Sequence, residues 1–174
     1  MQRTMYQLLD RRSISQITVE QICRVALIHR SSFYRYYTDK FDLLSQMVMR
    51  AIEELLAVEQ ADMAGSAVMS RFIVTHTQIL RHLLVTNTEG DNNRSQRVIN
   101  DCLVAVAQTR AADRVFVMIR KSQQPDLMAY LVSGAITSIV QWLSSKNLDG
   151  SSLETQAAIE STLATVFSLE QQSL

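Results

Sequence analysis

Val19, Ile22, Cys23 and Ala26 recur at the i, i+3, i+4, i+7 spacing of a single helix face. A three-to-four-residue apolar period runs through most of the chain, and no stretch alternates every second residue for the length of a strand. One proline and four glycines leave few breaks. The pattern predicts an all-α protein with helices over about 1–12, 18–26, 30–37, 40–62, 67–86, 94–111, 113–122, 126–146 and 152–170. "TNTEGDNNRSQ" (86–96) is the clearest expected loop, with further breaks at "SQQPD" and "KNLDGSS". The first three helices are short and the later ones long. This divides the chain into an N-terminal three-helix module, 1–45, and a larger helical bundle, 46–174. No Pro/Gly/Ser linker separates them, so the helix beginning near residue 40 should couple the two rigidly.

The short helices carry the sharpest local signals. Thr18-x-x-Gln21 is a capping box, with Ile17 and Ile22 at the two positions of a hydrophobic staple. Leu27, Ile28 and His29 then separate this helix from a second short one, which is the layout of a helix-turn-helix. In that arrangement the second helix lies in the DNA major groove. The composition of "HRSSFYRYY" (29–37) suits the role. Phe33 and Tyr37, four apart, face inward, while Tyr34 and Arg35 project outward and Tyr36 can serve either side. Arg30 can meet a phosphate or a guanine edge, and Ser31 and Ser32 are small enough to allow close approach and can donate to phosphates. Five of the chain's eleven aromatic residues fall between Phe33 and Phe41. Charge adds modest support. Residues 1–50 hold eight Lys/Arg against four Asp/Glu, and residues 51–174 hold nine against thirteen. The plainer reading is a solvated helix with ordinary surface arginines over a core aromatic cluster.

These residues resemble the DNA-binding region of the TetR family of transcriptional regulators. Thr18, Val19, Ile22, Phe33, Tyr34, Tyr37, Lys40, Leu43 and Leu44 match the family pattern, and the likeness covers about residues 5–48. The family usually carries Gly where Leu27 stands and Ser or Thr at His29. The chain also starts within the expected first helix, without the basic arm that many members place near the minor groove. The resemblance implies a TetR-like fold, a palindromic double-stranded DNA operator, a homodimer, and a small-molecule or protein effector. It makes Thr18, Arg30, Ser31, Ser32, Tyr34, Arg35, Tyr36 and Lys40 the DNA-contact candidates, with Lys40 meeting a phosphate at a helix N-terminus.

The body is less informative. Met47, Met63, Phe72, His76, Cys102 and Phe116 are candidates for an effector pocket, set against the plainer reading that each is core packing. Leu131, Gly134, Ile139, Trp142, Ala157, Leu163, Val166 and Phe167 mix large and small residues on the two closing helices and are candidates for a dimer interface. With 47% hydrophobic and 20% charged residues the chain reads as a soluble globular protein. No apolar run is expected to span a membrane and the start is unlike a signal peptide, so the expected location is cytoplasmic. Cys23 and Cys102 form no CxxC pair, His76 and His82 do not share a helix face, and no metal, nucleotide or nucleophile motif occurs. No cofactor and no enzymatic activity are expected. The resulting reading is a sequence-specific DNA-binding regulator, commonly a repressor relieved by an effector. Its rival is an accessory or ligand-binding protein of the same fold with weak or no DNA binding.

Overall fold

The computed structural model describes residues 1–57, 65–84, 89–109, 114–148, 150 and 152–168. The protein is all-α, with no strand among those residues. The order is α1 (Gln2–Leu9), a 3-10 turn (Ile14–Gln16), α2 (Val19–Ala26), α3 (Arg30–Tyr34), α4 (Lys40–Ala57), α5 (Gly65–Thr75), α6 (Thr77–Leu84), α7 (Glu89–Thr109), α8 (Arg114–Lys121), α9 (Pro125–Lys146) and α10 (Leu153–Ser168).

The local signals act as the pattern predicts around α2. The Gln21 N–H donates to Thr18 Oγ1 at 3.2 Å, and the Thr18 N–H donates to Gln21 Oε1 at 3.0 Å. Ile17 and Ile22 are both buried beside this cap. At the other end Leu27 adopts φ 54°, ψ 44°. The Ile28 N–H reaches Cys23 O and the Leu27 N–H reaches Arg24 O, which is the Schellman closure. α9 ends the same way at Asn147, with φ 50°.

Several expected boundaries move for physical reasons. α3 stops at Tyr34, although Tyr36 and Tyr37 N–H groups still bond to Phe33 O. The expected helix over 67–86 is broken into α5 and α6. There the Thr77 hydroxyl donates back to Ile73 O (2.8 Å) and Val74 O (3.1 Å), a competition with the backbone ladder that bends helices. Of the segment expected to be a loop over 86–96, residues 86–88 lie outside the described residues and the rest is helical from Glu89. By length and composition α9 is apolar enough to cross a membrane, contrary to the expectation that no segment approaches that length. Ser133, Thr137 and Ser138 interrupt its apolar runs but are too weakly polar to lower its average character.

One continuous core runs from Met5 to Leu163, through Ile22, Phe33, Leu44, Ile73, Leu84, Val106, Ile119 and Val140. α1 packs on α4 and α6, α2 on α1 and α3, and α7 on α4, α8 and α9. α10 packs chiefly on α5, where Ser70 Oγ donates to Gln156 O at 3.1 Å. The closing helices therefore lean on different partners.

Candidate nucleic-acid interface and an adjoining cavity

α3 is anchored from below. Phe33 is fully buried, Tyr37 is 9% exposed, and their ring centroids lie 5.4 Å apart. This inward pair fixes the rotation of α3 and leaves Arg30, Ser31, Tyr34 and Arg35 exposed, with Tyr36 exposed just beyond its end. Ser32 is half-buried, and Thr18 is exposed while serving as the cap of α2. α3 itself carries no acidic residue. The neighbouring Tyr34 hydroxyl raises the already high pKa of Arg30, with Glu20 adding a smaller pull. The result is a small cationic, aromatic and hydroxyl-bearing surface on a short helix. His29 stands at the N-cap but makes no side-chain cap bond.

Lys40 has a structural job that sequence reasoning missed. Its ammonium donates to Ile14 O at 2.8 Å, joining the 3-10 turn to the start of α4, and it sits 5.1 Å from the Phe41 ring centroid. The residue before it, Asp39, caps α4. Asp39 Oδ1 accepts from the Phe41 N–H (2.8 Å) and the Asp42 N–H (2.9 Å). Its Oδ2 accepts from the Arg94 guanidinium of α7 at 2.7 Å, and Arg94 also lies 4.0 Å over the Phe41 ring. Partial burial works against charge on Asp39, but the Asp42 N–H, Arg94 and the Phe41 N–H outweigh it, so the carboxyl titrates below its ordinary value.

Two histidines hold α1 against α6 and the α5–α6 junction. Tyr6 Oη and His76 Nδ1 lie 2.9 Å apart, and His82 Nδ1 lies 2.6 Å from Leu9 O. A carbonyl only accepts, so His82 carries its proton on Nδ1. Burial lowers the pKa of His76, with Glu54 pulling the other way. His76 and His82 thus both bond to α1.

Beside His76 a cavity of about 610 Å³ opens between α1, α4, α5, α6, α7 and α9. Of the pocket candidates, Met47, Phe72 and His76 line it. Cys102 and Phe116 do not. Cys102 is buried with its sulfur 3.6 Å from Ser45 Oγ, and burial pushes its thiol pKa up, while Phe116 is buried elsewhere in the core. Met63 lies outside the described residues. The polar wall formed by Gln2, Arg3, Tyr6 and Gln7 was not foreseen from the sequence.

The dimer candidates also divide. Leu131, Trp142, Ala157 and Val166 are exposed, and Gly134 and Ile139 are half-buried. A Cβ added at Gly134 would meet nothing within 4 Å, so packing within the chain does not require a glycine there. Leu163 is 2% exposed and belongs to the chain's own core, which removes it as a contact for a second copy. The Phe167 side chain lies outside the described residues. Leu127 and Tyr130 extend the exposed apolar face of α9 beyond the residues the sequence singled out.

No protein-family model matches the chain, and no curated protein matches it significantly in sequence. Among the described residues no group of three or more His, Cys, Asp or Glu is placed to hold a metal ion.

Proposed function

We propose that this chain is a sequence-specific DNA-binding transcription regulator of TetR-like architecture, acting as a homodimer on a palindromic double-stranded site. The observation that carries the proposal is the α2–turn–α3 unit. Burial of Phe33 and Tyr37 turns Arg30, Ser31, Tyr34 and Arg35 outward together on the second helix. Arg30 can bond a guanine edge bidentately, and the neighbouring hydroxyls and cations can fix the helix on phosphates. An isolated five-residue helix gains little from DNA, and two copies about 34–36 Å apart can engage successive major-groove faces. The exposed apolar side chains Leu127, Tyr130, Leu131 and Trp142 on α9 support a second copy as the partner. Repression relieved by an effector is the mode the TetR resemblance implies.

A second reading, a protein of this architecture without useful DNA affinity, is favoured by the uncapped His29 and by Leu27 in a left-handed conformation. The separating experiment is capture of fragmented genomic DNA by purified protein, followed by salt-dependent binding to the enriched site. Enrichment of a palindrome, lost on Arg30→Ala, supports the regulator. Recovery of no sequence, or of DNA held equally by Arg30→Ala, supports the accessory reading.

A further inference from the structure

The cavity beside His76 is strongly graded. Its floor is aliphatic, built from Leu80, Leu84, Ile99, Leu103 and Ile136. Ser133 is the one hydroxyl at that depth, and its proton is shared between Asn100 Oδ1 and Tyr130 O, which leaves its oxygen able to accept. Against the aliphatic side chains a polar group would be buried unpaired, at a cost of roughly 1–3 kcal/mol, so the floor away from Ser133 selects an apolar body. The rim, by contrast, is made by α1 and α4 and carries exposed polar side chains. Glu54 is neutralised by Arg50 at 2.9 Å, whereas Arg3 makes no ion pair among the described residues. Over the lining residues Arg3 and Arg50 against Glu54 leave one surplus positive charge, on the Arg3 side of the rim, while Glu54 acts on Tyr6 and His76 and Asp10 on Tyr6.

We infer that this cavity binds an amphipathic carboxylate, with its aliphatic tail on the α6–α7–α9 floor and its head at the α1–α4 rim near Arg3. About 610 Å³ falls within the ~300–1,000 Å³ range of small-molecule sites and accommodates a medium-chain fatty acid. The head meets donors of the kind a carboxylate needs, while a cationic head would face the surplus charge. One wall of the site is α1, which also packs on α2 of the helix-turn-helix. Occupancy thus bears directly on the N-terminal module. That regulatory consequence rests on the proposed DNA-binding function, and the binding site does not.

The test is calorimetric titration of the full chain with dodecanoate below its micelle concentration, alongside dodecanol and dodecylammonium. Saturable one-to-one binding of dodecanoate is expected, with the alcohol and the ammonium weaker by about twofold to fivefold, as expected for an exposed charge contact. Arg3→Glu, on an exposed position, should weaken dodecanoate by a similar factor while leaving dodecanol unchanged. Ile136→Phe should weaken all three by filling the floor. Absence of dodecanoate binding, equal affinity for the three head groups, or an unaffected Arg3→Glu variant would overturn the inference. These titrations contain no DNA, so a failure of the DNA-binding reading leaves their outcome intact.

Discussion

Leu27 is the position where this backbone carries a measurable strain. It sits at φ 54°, ψ 44° in the turn between α2 and α3, and its side chain is 91% exposed. A left-handed conformation costs an ordinary residue roughly 1–2 kcal/mol, because Cβ crowds the following carbonyl oxygen. Leu27→Gly removes that cost. It also enlarges the freedom of the unfolded chain, which takes back about 0.5–1 kcal/mol. Almost no buried surface is lost. The net expectation is a gain of about 0.5–1 kcal/mol, seen in urea unfolding as a higher midpoint with an unchanged slope. In a thermal scan this corresponds to a rise of about 1–4 °C for a chain of this length. Leu27→Ala retains Cβ and should gain nothing. Asn147, at φ 50°, belongs to a residue type that tolerates this region, so Asn147→Gly should change stability by less than Leu27→Gly. The strain argument is refuted if Leu27→Gly is neutral or destabilising, or if Leu27→Ala stabilises equally.

Three further expectations rest on separate contacts. Arg30→Ala should weaken binding to the preferred DNA by ~1–3 kcal/mol and relax its sequence preference, whereas Lys40→Ala should reduce the salt slope and also lower stability by about 1–2 kcal/mol through loss of the bond to Ile14 O; quantitative DNA titration and urea unfolding check the two, and an Arg30 variant with unaltered affinity would remove the base-reading role. Gly134→Ala should raise the stability of an isolated chain by about 0.5–1 kcal/mol, since Cβ meets open space, but should weaken a dimer that closes over α9. Sedimentation of Gly134→Ala and of Leu131→Glu decides between these, and unchanged self-association in both would place any interface elsewhere. For Asp39 the folded pKa is depressed below 3.8, so its stabilising contribution is present above about pH 4 and is lost as pH falls through the folded value. The gap in urea midpoint between the wild type and Asp39→Asn should therefore be open at neutral pH and narrow under acid, and a gap independent of pH would contradict it.

What could be read from the sequence follows the range of the interaction. The Thr18–Gln21 box is a contact three residues long and was legible from spacing alone. The inward face of α3 was legible because Phe33 and Tyr37 are aromatic residues four apart. The tie of Tyr6 to His76 spans 70 residues and that of Asp39 to Arg94 spans 55, and neither leaves a local periodic trace. For the same reason the bond of Lys40 to Ile14 O left no trace, since that carbonyl is 26 residues earlier in the chain. Composition misled at Glu89–Asn93, where a stretch rich in residue types common in loops is helical. Burial was legible by type but not by destination. Cys102, Phe116 and Leu163 are apolar and interior as their character suggests, yet none reaches the cavity or an exposed face.

Besides the packing of α1 on α4 and of the 3-10 turn on α7, two sets of polar contacts join the N-terminal elements to the rest of the chain and can act separately under the proposed function. Arg94 holds Asp39, five residues beyond the end of α3, and stacks on Phe41 in the first turn of α4. A displacement of α7 is therefore passed to the exit of α3. His76 and His82 hold Tyr6 and Leu9, so a displacement around the α5–α6 junction is passed to α1, on which α2 packs. The cavity has walls in both sets, with Ile99 and Leu103 on α7 and His76 at the junction. A ligand shifts DNA affinity only through unequal affinity for two arrangements of the module. Under the proposed function the two arrangements would differ in whether α1 and the start of α4 keep their bonds to the body. Those bonds are few, polar and partly exposed, each worth about 0.5–3 kcal/mol by type, which is the scale of typical coupling between sites. The buried Phe33, Tyr37 and Ile22 cluster lies inside the module and stays intact through such a shift. The recognition surface would then move as one body, with α3 keeping its rotation relative to α2.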